Sequence, residues 1–187
     1  MISTTLFPGR YVQGPDSTKR LGLEFSSFGQ KAFGICSPFI FDQIIPKLEK
    51  DIQKDIQFVT EKFKRECSDE EISRLISIAE KHEPNLIAGI GGGKTLDTAK
   101  AVADKLKLPV AIVPTIASTD APCSALSIIY TQEGIFKRAQ FFHKNPDLVL
   151  VDTKIIVQAP VRLLISGMGD ALATWFEAKS CQQNYAA

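Results

Sequence analysis

The sequence predicts an α/β fold built on a parallel sheet that is buried on both faces. Three apolar runs, at residues 85–90, 110–114 and 148–152, are continuous rather than alternating, which is typical of strands covered on both sides. Segments with helical spacing of apolar residues stand between the first strands, so the central order is strand–helix–strand–helix–strand. The 187 residues suffice for a core, because a chain of this length buries roughly 70% of the surface that its unfolded form exposes.

Composition and charge exclude several classes of protein. Hydrophobic residues make up 44% and charged residues 23% of the chain, which is typical of a globular domain and excludes disorder. The 22 Lys and Arg nearly balance the 21 Asp and Glu, whereas a nucleic-acid binder needs a surplus of cations to neutralise phosphates. No apolar run approaches the ~18 residues that span a bilayer. We therefore expect no nucleic-acid partner and no membrane partner.

The N-terminus and the cysteines indicate a cytoplasmic protein. Residues 1–15 lack the basic start and the cleavage site of a signal peptide. The four cysteines are at least 31 residues apart and form no CxxC pair, which excludes a zinc ribbon. They are Cys36, Cys67, Cys123 and Cys181. The sequence therefore predicts four buried thiols in a reducing cytoplasm.

The first third of the chain contains two predicted strands and one predicted helix. Residues 1–35 are turn-rich, because FPGRY, QGPDS and SFGQ each break the chain at Gly or Pro. KAFGIC at 31–36 then predicts a buried strand, and residues 39–50 predict a helix in which Pro46 is out of place. IQFVT at 56–60 predicts a second short strand.

Two helices are predicted around the strand at 85–90. Ser68 and Glu71 form a capping-box pattern, in which the hydroxyl accepts from a helix amide and the carboxylate reaches back to the Ser68 amide. Pro84 ends that helix. A second helix follows the strand and a glycine run, and its apolar face holds Leu96, Ala99, Ala103 and Leu106.

The pattern changes after residue 120. LSIIYT at 126–131, the turn QEG and the run 136–142 predict an antiparallel hairpin. From Pro160 the chain is predicted to be helical almost to its last residue, with a break at Gly167–Gly169.

The glycine run is the most informative segment for function. Residues 89–97, GIGGGKTLD, follow a predicted strand and open a predicted helix. Glycines let a backbone approach a phosphate, and the first amides of a helix favour an anion, to which Lys94 adds a positive charge. Two generic motifs fail narrowly, because GxGxxG needs a small residue in place of Lys94 and a P-loop needs glycine in place of Ala88. A tight turn without a ligand and a P-loop-like phosphoryl enzyme stay open as alternatives.

Two further segments carry candidate residues. The run 114–122, PTIASTDAP, follows a predicted strand at the edge where open α/β sheets bind ligands, and Asp120 can accept from a substrate hydroxyl there. Ordinary turn chemistry explains the same residues equally well. Asp170 stands among apolar residues, where a carboxylate needs a partner or a cation. Periodicity alone favours an exposed helix position or an N-cap for it.

The remaining acids and the histidines are assigned no chemistry. Asp147 and Asp152 are expected to be turn residues at strand ends, and His82 and His143 are expected on the surface beside lysines.

Taken together, four stretches resemble the iron-containing (group III) alcohol dehydrogenase family. They are 89–104, 114–131, 145–153 and 159–178, in the family's order and at its spacing. The resemblance implies a Rossmann-like parallel-sheet dinucleotide-binding domain, followed by an all-helical domain, with the active site between them. It implies NAD-linked oxidation of a vicinal diol such as glycerol, with zinc as a divalent metal, in an enzyme that is a homo-oligomer when complete.

The resemblance also assigns site residues and domain boundaries. It implies an NAD-binding α/β domain over 1–158 and the first helix of a truncated helical, metal-binding domain over 159–187. Asp120 would contact the substrate hydroxyl, and Asp170 would be a metal ligand. The implied cofactor contacts are Gly92, Gly93, Lys94, Asp97, Thr115, Ser118, Ser124, Leu126 and Tyr130.

Two departures from the family pattern follow. Many members place an acidic residue near the end of the strand that here finishes in Cys36-Ser37, where it bonds the adenosine ribose. The family's metal site also needs two histidines, and neither His82 nor His143 lies in the matching stretches. One carboxylate does not hold a catalytic zinc, which takes about three protein ligands.

The second departure implies a truncated chain that carries half of an active site. A non-catalytic nucleotide-binding fragment, or a subunit that needs a separate helical partner, is the alternative. Either way we expect an exposed apolar patch on the last helix. Its residues are Leu163, Leu164, Leu172, Trp175 and Phe176.

Overall fold

A computed structural model describes residues 6–183, which form a six-stranded sheet and a separate hairpin. The strands are β1 (Tyr11–Gly14), β2 (Lys31–Cys36), β3 (Gln57–Lys62), β4 (Leu86–Gly91), β5 (Val110–Pro114), β6 (Leu126–Tyr130), β7 (Phe136–Phe141) and β8 (Leu148–Asp152). The α-helices are α1 (Leu21–Ser26), α2 (Pro38–Gln43), α3 (Ile45–Ile52), α4 (Asp69–Ala79), α5 (Gly93–Leu106), α6 (Thr153–Gln158) and α7 (Val161–Gln183). Single 3-10 turns occupy Ser17–Arg20 and Glu80–His82.

The main sheet has the order β1-β8-β5-β4-β2-β3, and each of its strand pairs is parallel. Its two faces are covered by different helices, so successive residues of one strand enter different cores. Leu86 belongs to a core with residues of α1, α2 and α3, whereas Ile87 belongs to a core with residues of α4 and α5. This double burial explains the continuous apolar runs in the strands and confirms the predicted fold class.

The predicted single helix at 39–50 is wrong. The structure contains two short helices, α2 and α3, joined at Ile44. Pro46 lies in the first turn of α3, where its missing N–H breaks no hydrogen bond of the helix. The proline that was out of place inside one helix therefore fits at the start of a second.

The prediction that the first 35 residues are rich in turns missed β1 and α1. The strand β1 has four residues at the edge of the sheet and pairs only with β8, so its sequence shows no apolar run. Asp152, expected to be a plain turn residue, anchors the chain after β1. Its carboxylate accepts from the backbone amides of Asp16 at 3.0 Å and Thr18 at 3.1 Å, and from the Thr18 hydroxyl at 2.6 Å.

The predicted capping box at the start of α4 is half correct. The Ser68 hydroxyl accepts from the Glu71 amide at 3.3 Å, as expected. The Glu71 carboxylate does not reach back to Ser68. It accepts from the Lys64 amide, which follows β3, at 2.9 Å, and pairs with Arg74, three residues further along α4, at 2.7 Å.

The cysteine prediction is correct for two of the four residues. Cys36 and Cys67 are buried, but Cys123 and Cys181 are exposed. Burial raises the pKa of the Cys67 thiol to about 12. The two histidines are exposed, as expected.

The final helix, α7, runs without interruption for 23 residues, so the predicted break at its glycines is wrong. No residue of α7 between 161 and 183 is buried. The expected exposed apolar patch is confirmed for Leu164, Leu172, Trp175 and Phe176, whereas Leu163 is half-buried. Within residues 6–183 no helix is both long and apolar enough to cross a membrane.

Candidate nucleotide-binding site

The candidate site is a cleft of about 790 Å³ at the carboxyl edge of the sheet. It is lined by residues that directly follow β2, β3, β4 and β5, together with the segment 155–160. The strand register places Gly91 of β4 opposite Pro114 of β5, so the glycine run and the 114–122 loop begin side by side. Parallel α/β sheets bind ligands at this edge.

The glycine run turns the chain from β4 directly into α5. Gly92 is the N-cap residue and supplies no side-chain cap, so the first amides of the helix stay available for an acceptor in the cleft. A Cβ atom at Gly92 would lie 2.8 Å from the Cδ1 atom of Ile116, so a larger residue here would displace the Ile116 side chain, which also lines the cleft. Gly93 and Thr115 line the same cleft.

Lys94 is exposed at the entrance of the cleft and is held in place by two neighbours. Its Nζ atom lies 2.7 Å from the Glu66 carboxylate and 4.7 Å from the ring centroid of Tyr130. The structure therefore brings together Lys94 and Tyr130, two residues that the sequence analysis placed in one site. Thr115 is joined to the glycine run as well, because its amide donates to the Gly91 carbonyl at 3.0 Å.

The loop after β5 meets α7 through Asp120 and Asp170. The Asp120 amide donates to the Asp170 carboxylate at 3.1 Å. Gly167 permits this approach, since a Cβ atom there would lie 2.2 Å from the Ala117 carbonyl oxygen. Asp170 lies inside α7 rather than at an N-cap. Ser118 is half-buried in the same loop but does not line the cleft.

Asp97 faces the hairpin rather than the cleft. One carboxylate oxygen accepts from the Ile128 amide at 3.1 Å, and the other lies 2.9 Å from the Lys100 Nζ atom. Burial raises the pKa of Asp97, and Lys100 and the Ile128 amide offset this only in part. Its implied role as a cofactor contact stays a prediction.

Lys100 is a buried cation near the candidate site that the sequence analysis missed. Its side chain is buried, and its ammonium group donates to the carbonyl oxygens of Ala121 at 2.9 Å, Ser124 at 3.3 Å and Leu126. Ser124 and Leu126, which the resemblance places beside the nicotinamide, are thus held by this one cation. The sequence did contain a sign that Lys100 is buried, because it stands four residues after Leu96 and therefore on the apolar face of α5.

The described residues do not form a complete metal site. Between residues 6 and 183 there is no group of three or more His, Cys, Asp or Glu side chains that could hold a metal ion. Asp170 is therefore a single candidate ligand.

The fold that carries this glycine-rich cleft is that of the iron-containing alcohol dehydrogenase family. That family matches residues 8–153, and the chain belongs to it. The chain is 57% identical over 186 residues to glycerol dehydrogenase of Thermotoga maritima, covering 100% of this chain and 51% of that protein. It is 49% identical over 182 residues to glycerol dehydrogenase of Citrobacter freundii, covering 97% of this chain and 50% of that one.

A solved structure shows the same architecture. A probable glycerol dehydrogenase from Sinorhizobium meliloti 1021 superposes with a TM-score of 0.90 and 39% identity, over 97% of this chain and 49% of that one. The predicted Rossmann-like fold is confirmed by this match. The chain spans about half the length of the curated relatives it matches.

Proposed function

We propose that this chain provides the nucleotide-binding half of a dehydrogenase that oxidises glycerol, or a related vicinal diol, to the ketone. The observation that carries the proposal is the cleft at the carboxyl edge of the sheet. There the uncapped start of α5, Lys94 and Thr115 converge. The glycerol dehydrogenases of Thermotoga maritima and Citrobacter freundii support the substrate class. Residues 1–158 would form the cofactor domain, and 159–187 would begin a helical one.

Residues of the cleft and of the neighbouring loops would divide the work of binding NAD. The first amides of α5 would hold the diphosphate, because they lack acceptors within the helix and lie at its positive end. Lys94 would add charge, and Thr115 and Ser118 hydroxyls would bond the ribose and phosphate oxygens. When bound, NAD would supply a nicotinamide ring as the acceptor for a hydride from the carbinol carbon. Ser124, Leu126 and Tyr130 would form the wall beside that ring.

Asp120 would orient the substrate by accepting from one of its hydroxyls. Its backbone amide donates to the Asp170 carboxylate at 3.1 Å, so the substrate contact and the metal candidate lie next to each other. Asp170 would supply one carboxylate to a divalent metal such as zinc. One ligand falls short of the usual three, so we derive no catalytic step from the metal. For the complete protein we propose a homo-oligomer.

The experiment for the nucleotide proposal is calorimetric titration of the chain with NAD and with ATP. We expect NAD to bind, and Gly92→Ala to weaken its binding, because the added Cβ enters the cleft at the start of α5 and displaces Ile116, which lines the same cleft. Gly169→Ala is the matched control, since a Cβ atom there has no neighbour within 4 Å. Binding of ATP without NAD would overturn the proposal and favour a P-loop-like phosphoryl enzyme.

The activity is tested separately by following NADH formation with glycerol and Zn²⁺. Turnover that falls on Asp120→Asn substitution supports the dehydrogenase assignment. NAD binding without turnover favours the second candidate, a nucleotide-binding subunit that acts with a helical partner. The single metal-ligand candidate in the described residues is the observation that keeps this second candidate in view.

A further inference from the structure

One end of the cleft is built by Ser37, which follows β2 beside the glycine run. The strands β2 and β4 are parallel neighbours, and the Ser37 amide donates to the Ile90 carbonyl at 3.0 Å. A Cβ atom at Gly91 would lie 2.9 Å from the Ser37 Cβ atom. Open α/β sheets bind dinucleotides at this edge. Ser37 therefore lies in the cleft beside the turn that would hold the diphosphate.

Arg65 reaches the same end of the cleft from the other side of β2. It follows β3, which is the other neighbour of β2, and it lines the cleft together with Ser37. Its side chain is exposed and forms no salt bridge with any residue in the described part of the chain. The guanidinium group is thus available for an anion.

The backbone of Arg65 is in a conformation that favours glycine. Its φ angle is +81°, in the left-handed region that costs an ordinary side chain free energy. Glycine adopts this conformation readily, so an Arg65→Gly substitution removes the charge without straining the backbone.

No carboxylate competes with that charge. None of the residues from the described ranges that line the cleft is Asp or Glu. The nearby acids are already paired: Asp42 lies 2.6 Å from the ammonium group of Lys62, and Glu66 lies 2.7 Å from that of Lys94. This part of the cleft therefore has a positive charge, and a Ser37 hydroxyl with no hydrogen-bond partner among residues 6–183.

We infer that the cleft prefers a dinucleotide with a 2′-phosphate, NADP, over NAD, and that Arg65 and the Ser37 hydroxyl contact that phosphate. This inference rests on the proposed function and refines its cofactor. Binding folds of this kind select NAD with an acidic residue that bonds the 2′-hydroxyl, and NADP with an arginine. A guanidinium group matches a phosphate with two parallel hydrogen bonds, whereas a carboxylate would repel it.

The test is a calorimetric comparison of NADP and NAD binding to the chain. We expect NADP to bind about ten- to a hundredfold more tightly, as for charge-assisted hydrogen bonds to a phosphate. Arg65→Gly should abolish that preference and keep the affinity for NAD, since glycine readily adopts the observed φ angle. Lys64→Ala is the matched control, because this adjacent exposed cation does not line the cleft and should keep the preference.

A second variant tests the hydroxyl. Ser37→Asp should reverse the preference in favour of NAD, and aspartate is also a favourable residue at this helix N-cap. Equal or tighter binding of NAD to the unsubstituted chain overturns the inference but keeps the proposed function. A preference for NADP that survives Arg65→Gly overturns the role of Arg65. Failure of both dinucleotides to bind overturns the proposed function as well.

Discussion

The Asp120 amide donates a hydrogen bond to the Asp170 carboxylate, and this contact joins two residues that are 50 positions apart. It attaches α7 to the loop after β5, although no residue of α7 within the described range is buried. The contact is possible because Gly167 brings the helix backbone against Ala117. The substrate candidate and the metal candidate are therefore positioned by a glycine.

Replacing Gly167 by alanine should separate α7 from the loop. The added Cβ atom would lie 2.2 Å from the Ala117 carbonyl oxygen, and such overpacking costs about 1–3 kcal/mol. Urea denaturation measures the loss. Gly169→Ala, in open space on the same helix, should instead stabilise the chain by about 0.5–1 kcal/mol. Equal effects of the two substitutions would show that α7 does not pack on the loop.

Substitution of Lys100 by methionine should be strongly destabilising. The substitution leaves the buried Asp97 carboxylate without its cation. Removal of one partner of a buried ion pair lowers the free energy of unfolding by about 3–5 kcal/mol. The double variant Asp97→Asn, Lys100→Met should lose less than the sum of the single losses. Chemical denaturation of all four proteins gives the coupling free energy, and strict additivity would contradict the ion pair.

Asp152 should make the stability depend on acid pH. Burial raises its pKa, but hydrogen bonds from the Thr18 side chain and from the backbone amides of Thr18, Lys154 and Asp16 outweigh this and lower the pKa below 3.8. The stabilisation is therefore present above that value and is lost as pH falls through the lower pKa of the folded state. The difference in unfolding free energy between the unsubstituted chain and Asp152→Asn should shrink between about pH 5 and pH 2. Glu80→Gln, at an exposed site, should show no such trend.

Thiol labelling should distinguish two classes of cysteine. Cys123 and Cys181 are exposed and should react with a chromogenic disulfide reagent in the folded protein. Cys36 and Cys67 are buried, and burial raises their pKa values, so they should react only on unfolding. Reaction of all four thiols at one rate without denaturant would contradict the observed core.

The apolar face of α7 should bind an apolar dye. Trp175 is 57% exposed and Leu172 is 61% exposed, so replacing both by serine should lower dye fluorescence. The unfolding free energy should change by no more than about 0.5 kcal/mol, because neither side chain is buried. Glu177→Ser, on the same helix, is the control for dye binding. A large loss of stability in the double variant would contradict the exposure of this face.

Local pattern explains why the fold class could be predicted. A strand covered on both faces must be apolar throughout, so β4, β5 and β8 are visible as short runs in the sequence. The strand β1 was missed for the same reason, because a four-residue edge strand has only one neighbour and needs no such run. The turn at residues 89–93 could be predicted because the glycines and the start of the following helix are adjacent in the sequence.

The sequence by itself determined the parallel α/β order, the glycine turn into α5 and the family resemblance, since each depends on neighbouring residues along the chain. Only the tertiary structure decided which distant groups meet. It placed Lys100 against the carbonyls of the 121–126 segment, Asp170 against Asp120, and Arg65 in the same cleft as Ser37. These arrangements depend on strand order and helix approach, which are set by packing of the whole sheet. Helical spacing places Lys100 on the apolar face of α5 but does not identify the carbonyl groups that it meets.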